Sequence, residues 1–207
     1  MAKTLYSSIK STIGSDTLFT LDDVSKLKDT TPEAIKEEMS RLSKIGQVKR
    51  LGYGVYVIPT GKLTEDILES KFIAFRYIGS GKNINGFLYG KCYVGGLLNE
   101  TLPKTGLEIV TNKATSGKKS IFQFGQRIVL RKPFVKVDSS NVTLVSFLTY
   151  VSQASKEDIK HYYPILANLV REEHLSAIET SAILPSFPSK TAKVLLAEGF
   201  YKLMWRH

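Results

Sequence analysis

A single cysteine, Cys92, stands in a chain of 207 residues. One cysteine excludes an internal disulfide and fits a reducing compartment. Long apolar runs are missing as well. None approaches the ~20 residues that a membrane-spanning helix needs, so no membrane partner is expected. The opening stretch MAKTLYSSIKST has no extended apolar segment, and no signal peptide is expected. A cytoplasmic location follows as the expectation. Histidine is scarce: His161, His174 and His207 share no ligand spacing with each other or with Cys92, which leaves no metal site in view. No nucleophile elbow occurs, and nothing beside Cys92 marks it as catalytic. These absences leave no case for an enzyme or for a cofactor.

What is present is a basic globular chain. Apolar residues make up 43% and aromatics 10%, enough to build a core and too many for disorder. The net charge is +10. Its distribution is uneven: residues 1–62 carry ten Lys/Arg against seven Asp/Glu, residues 63–155 twelve against six, and residues 156–207 seven against six. A basic surface attracts phosphate backbones or acidic partners.

Residues 1–62 read as three short helices and a hairpin. Leu5, Ile9 and Ile13 are spaced for one helical face, which Gly14 ends. Thr20 followed by Asp23 has the form of a capping box, with Leu21, Val24 and Leu27 as the buried face. Thr31-Pro32-Glu33 supplies a cap, a proline at the first helical position and an acid near the positive end of the dipole. Ile35, Met39 and Leu42 then form an apolar stripe, and Gly46 closes the helix. Gln47 to Leu51 alternates like a half-buried strand, Gly52-Tyr53-Gly54 supplies a turn, and Val55 to Ile58 returns. This order predicts a winged helix-turn-helix domain, whose third helix enters the DNA major groove while the hairpin lies along the phosphate backbone or the minor groove. The expected DNA contacts are Thr31, Lys36, Ser40, Arg41 and Lys44 on the helix, with Lys49, Arg50 and Tyr53 on the wing.

The Pro-, Gly- and polar-rich stretch 59–66 predicts a boundary, giving a second domain over residues 63–207. The pattern there is mixed. Helices are expected over Ile67–Ile78, Phe87–Leu98, Val142–Val151, Ile159–Val170, Leu175–Leu184 and Lys190–Gly199, and strands over Leu107–Asn112, Ser120–Phe124 and Arg127–Lys132. The fold class expected for the whole chain is therefore α+β. Gly79-Ser80-Gly81-Lys82 fails as a phosphate loop, because Arg76 stands where the first glycine belongs and Asn83 where Ser or Thr belongs. The adjacent Asp22 and Asp23 do not make a two-metal nucleotidyltransferase site, since a helix's first turn accounts for them. Lys113, Lys118, Lys119, Arg127, Arg131 and Lys132 form a loose basic group around the predicted strands, with Lys118-Lys119 in a loop. Arg127 and Arg131, four apart on a strand, share a face able to meet DNA, RNA or an acidic partner.

The phrase R-L-x-K-x-G-x-V-x-R-L-x-x-G-x-Y-x-x-P, from Arg41 to Pro59, together with Phe19 to Val24, resembles the N-terminal domain of AbiEi-type antitoxins. Ile84 to Ser152 resembles that family's second domain in pattern. The resemblance implies a partner toxin of nucleotidyltransferase type, encoded in the same operon and linked to abortive phage infection. It also implies repression of that operon by the N-terminal domain binding double-stranded promoter DNA, with antitoxin activity in the C-terminal domain. Without the resemblance, two other readings stand: a transcription regulator whose C-terminal domain senses a ligand or dimerises, or a protein–protein interaction module.

Overall fold

The computed structural model describes residues 4–27, 30–79, 81–98 and 106–205; Ser80 and His207, weighed above, lie outside them. The chain is mixed α and β and divides into two compact units, Met1–Arg76 and Tyr77–His207.

In the first unit, the Thr4 hydroxyl caps α1 (Leu5–Thr12), which buries Leu5 and Ile9. A short strand, β1 (Leu18–Thr20), leads directly into α2 (Leu21–Ser25). The capping box is present: Thr20 Oγ1 accepts from the Asp23 N–H, and the Asp23 carboxylate accepts from the Thr20 N–H at 2.9 Å. α3 (Pro32–Lys44) starts at the Thr31 cap and buries Ile35, Met39 and Leu42. Gly46 turns the chain with φ +75° into β2 (Lys49–Gly52). The two-residue turn Tyr53-Gly54 has φ of 48° and 73°, the twist a tight hairpin needs, and leads into β3 (Val55–Val57). β1 joins the hairpin through β3, giving the strand order β1-β3-β2. Phe19, Val24, Met39, Leu42, Val48 and Tyr56 lie in the core between the sheet and the helices.

The stretch 59–66 is not where the compact units divide. α4 (Glu65–Ile73) belongs to the first unit. Its Glu65 holds Lys49, its Phe72 stacks on Tyr53, and its Lys71 Nζ donates to the Asp16 carbonyl at 3.2 Å. A polar, glycine-containing turn signals a change of direction, and here the chain doubles back onto the same unit. The helix expected over Ile67–Ile78 ends at Ile73 and continues as a π-helical turn to Ile78.

The second unit contains a sheet of order β4-β5-β7-β6 among the described residues. Its strands are β4 (Gly86–Leu88), β5 (Leu107–Thr111), β6 (Lys118–Gln123) and β7 (Gln126–Arg131). β5 and β7 run parallel, and the other pairs are antiparallel. The single helix expected over Phe87–Leu98 is instead β4 followed by α5 (Lys91–Leu97), separated at Gly90, which has φ +60°. An apolar run reads alike in either state, and pairing of Phe87 with Val110 decides for strand. Lys118 and Lys119 are not in a loop; they open β6.

Five α-helices follow among the described residues: α6 (Val142–Gln153), α7 (Lys156–Glu172), α8 (Ala177–Ile183), α9 (Ser189–Ala197) and α10 (Phe200–Met204). Every residue of α6 from Leu144 to Ser152 is buried, so α6 is the hub around which this core is built. Phe147 packs edge-on against Phe200 with ring centroids 5.3 Å apart.

Candidate nucleic-acid interface

A groove of about 610 Å³ is lined by Leu21 of α2, by Lys36, Met39, Ser40, Ser43 and Lys44 of α3, and by Arg50 and Tyr56 of the hairpin. Lys36, Ser40 and Lys44 recur every four residues, so they lie one turn above another on the helix. Ser43 falls on the same stripe, seven residues after Lys36. Arg50 faces them from β2. Lys36, Ser40, Lys44 and Arg50 are exposed, and no ion pair among the described residues engages the three cations. The walls hold three positive charges, three hydroxyls (Ser40, Ser43 and Tyr56) and no carboxylate. Such a wall suits a phosphate chain, with the hydroxyls able to donate to phosphate oxygens or base edges.

Four of the eight expected contact residues thus converge on one groove. The other four are engaged elsewhere. Thr31 caps α3, its Oγ1 accepting the Ala34 N–H at 3.3 Å. Arg41 lies 100° further round the helix than Ser40. It is clamped by Glu38, with Nε to Oε2 at 2.8 Å and Nη2 to Oε1 at 2.6 Å. Those bonds hold its guanidinium pKa above the usual value. Lys49 Nζ lies 2.6 Å from both carboxylate oxygens of Glu65. Tyr53 stacks on Phe72 with centroids 6.4 Å apart, and the Arg76 guanidinium sits 4.9 Å from its ring centroid. Ser43, the residue missed, was readable from its spacing alone.

In the second unit Arg127 and Arg131 do share a face of the sheet, as their spacing requires. They are held differently. Arg131 Nε donates to Glu108 at 2.7 Å, and its guanidinium lies 4.2 Å from the Tyr89 ring centroid. Burial raises the pKa of the Tyr89 phenol, with the Arg131 charge opposing. Arg127 donates through Nε and Nη2 to Ser120 Oγ at 3.2 and 3.0 Å. Lys118 lies opposite Arg131 on the Arg127 face, and its neighbour Lys119 points to the other face. Lys113 is exposed in the turn after β5.

Cys92 is buried, and no group of three metal-ligating side chains gathers among the described residues. No described helix is long and apolar enough to cross a membrane. Compared with protein-family models, with curated proteins and with solved structures, the chain matches none.

Proposed function

We propose that the first unit is a winged-helix module that binds double-stranded DNA through the groove between α3 and the hairpin. The observation that carries this reading is the convergence of Lys36, Lys44 and Arg50, without an ion pair among the described residues, on a groove whose walls include no carboxylate. A helix face that is merely solvated needs no cation facing it from a neighbouring strand. Lys36, Ser40, Ser43 and Lys44 then contact the duplex from α3, and Arg50 contacts the flanking phosphates. The wing engages DNA through its β2 side and not its tip, because Tyr53 and Lys49 are held by α4.

The biological role we assign is repression of the chain's own operon by an antitoxin of AbiEi type, acting without catalysis. Its support is the likeness of residues 41–59 and 19–24 to that family. The second unit then counters a nucleotidyltransferase-like toxin. The decisive experiment titrates the protein against a labelled fragment of its upstream DNA with a scrambled competitor at two salt concentrations. Sequence-selective, salt-sensitive binding that is lost in Lys36→Ala/Arg50→Ala supports the reading. Equal binding by the double variant overturns it.

A further inference from the structure

The β6–β7 hairpin is the second place where cations gather. From Ile109 to Val137 the chain holds no Asp or Glu, while it holds Lys113, Lys118, Lys119, Arg127, Arg131, Lys132 and Lys136. β6 is an edge strand. Its Lys118, Ser120 and Phe122 stand on one face, opposite Arg131, Val129 and Arg127 of β7. At the other end of that face Phe87 and Val110 are covered by the helical core. At the β6 end Phe122 is 77% exposed. Edge lysines alone have a plain explanation, since they discourage strand-to-strand association. Phe122 does not share it: an exposed aromatic ring on an edge strand invites the association that the lysines oppose.

An exposed ring opposite a planar guanidinium, on a hairpin whose charges are all positive, matches one ligand chemistry. Unpaired bases stack on aromatic and guanidinium planes, and their phosphates are met by lysine and arginine. Duplex DNA does not fit, because its bases are already stacked. A second copy of the hairpin is repelled by like charge. An acidic peptide matches the charge but leaves the ring unexplained.

We infer that the open face of the β6–β7 hairpin binds single-stranded nucleic acid, with a base stacked on Phe122 and the backbone held by Lys118 and Arg127. Ser120 holds Arg127 through the two hydrogen bonds already described, on the face that also carries Phe122. This surface is distinct from the groove on the first unit and does not depend on that groove binding DNA.

The test uses the full chain and fluorescence anisotropy of labelled oligo-uridine and oligo-thymidine, with a duplex as a third probe. The wild type is expected to bind the single strands. Phe122→Ala is expected to weaken that binding about tenfold, in line with the loss of one stacked base. Phe122→Trp should retain it, and neither variant should alter duplex binding or the thermal unfolding midpoint. Tighter binding of oligo-uridine would name RNA as the ligand, and equal binding would name single strands of both kinds. The inference is overturned if the wild type ignores both single strands, or if Phe122→Ala binds them as the wild type does. It is also overturned if Arg50→Ala, and not Phe122→Ala, removes single-strand binding. Binding of poly-glutamate in preference to both oligonucleotides, lost in Phe122→Ala, would reassign the face to an acidic protein.

Discussion

Lys49 and Glu65, sixteen residues apart, form a two-oxygen ion pair with both contacts at 2.6 Å. The pair ties the base of the β2–β3 hairpin to the first turn of α4. A cation so placed is poorly available to a phosphate, although its sequence neighbour Arg50 faces the groove. This predicts a split between adjacent residues. Arg50→Ala should weaken duplex binding at every sequence and reduce the slope of log affinity against log salt by about 1. Lys49→Ala should leave the slope unchanged. Anisotropy titrations across a salt series measure both, and a Lys49→Ala slope as shallow as that of Arg50→Ala would remove Glu65 from the account.

Arg41 yields a related prediction. Its fork is occupied by Glu38, so Arg41→Ala should affect duplex affinity less than Lys44→Ala does. Glu38→Gln should release the guanidinium and strengthen non-specific binding. A loss with Arg41→Ala that equals or exceeds that with Lys44→Ala would show that the Glu38 pair opens on DNA.

Tyr53 should matter for stability more than for binding. Its ring contacts both Phe72 and the Arg76 guanidinium, and an aromatic pair with a cation–π contact stabilises by about 1–2 kcal/mol together. Tyr53→Ala should therefore lower the melting temperature by a few degrees, at ~2–4 °C per kcal/mol for a chain of this size. Duplex affinity, measured below the melting range, should hold. Unchanged melting with weakened binding would place Tyr53 on the DNA.

Helix starts were legible because they are local. Thr20 and Asp23 are three residues apart and Thr31 adjoins Pro32, so cap and helix fall within one reading window. The hairpin was legible from Gly52-Tyr53-Gly54 for the same reason. β1 was not: three residues carry no periodicity, and its strand character comes from pairing with Val55–Val57, thirty-odd residues away. β4 was hidden in an apolar run for the same cause. The groove was half legible. Spacing put Lys36, Ser40 and Lys44 on one stripe, but nothing local revealed that Glu65 and Phe72 would claim the two neighbours of Arg50's strand.

Asp16 gives a pH prediction. Its carboxylate accepts from the Thr60 hydroxyl and from the Thr60 N–H, the latter at 3.0 Å, and these bonds with the Lys71 charge lower its pKa. A carboxyl whose folded pKa lies below its unfolded value, about 3.9, stabilises the fold fully above that value. The stabilisation fades as pH falls through the lowered folded value. The melting-temperature difference between wild type and Asp16→Asn should therefore be constant near neutrality and shrink only below about pH 4. A difference that shrinks between pH 8 and pH 5 would implicate another group.

Gly86 should tolerate no side chain. A Cβ there would fall on the carbonyl oxygens of Tyr77 and Val110, backbone atoms that cannot rotate away. Gly86→Ala should abolish cooperative unfolding of the second unit. Gly46→Ala meets open space and only the strain of a positive φ, so it should cost about 1 kcal/mol. Urea titrations followed by circular dichroism separate the two outcomes.

The stretch from Ile109 to Val137 also lacks histidine, cysteine and tyrosine. The side-chain types that gain or lose a proton between acid and neutral pH are therefore all missing from the β6–β7 hairpin and its flanks. This basic face has no proton switch of its own. A pH dependence of binding there would report the titration of the ligand, and not a change in the hairpin's charge.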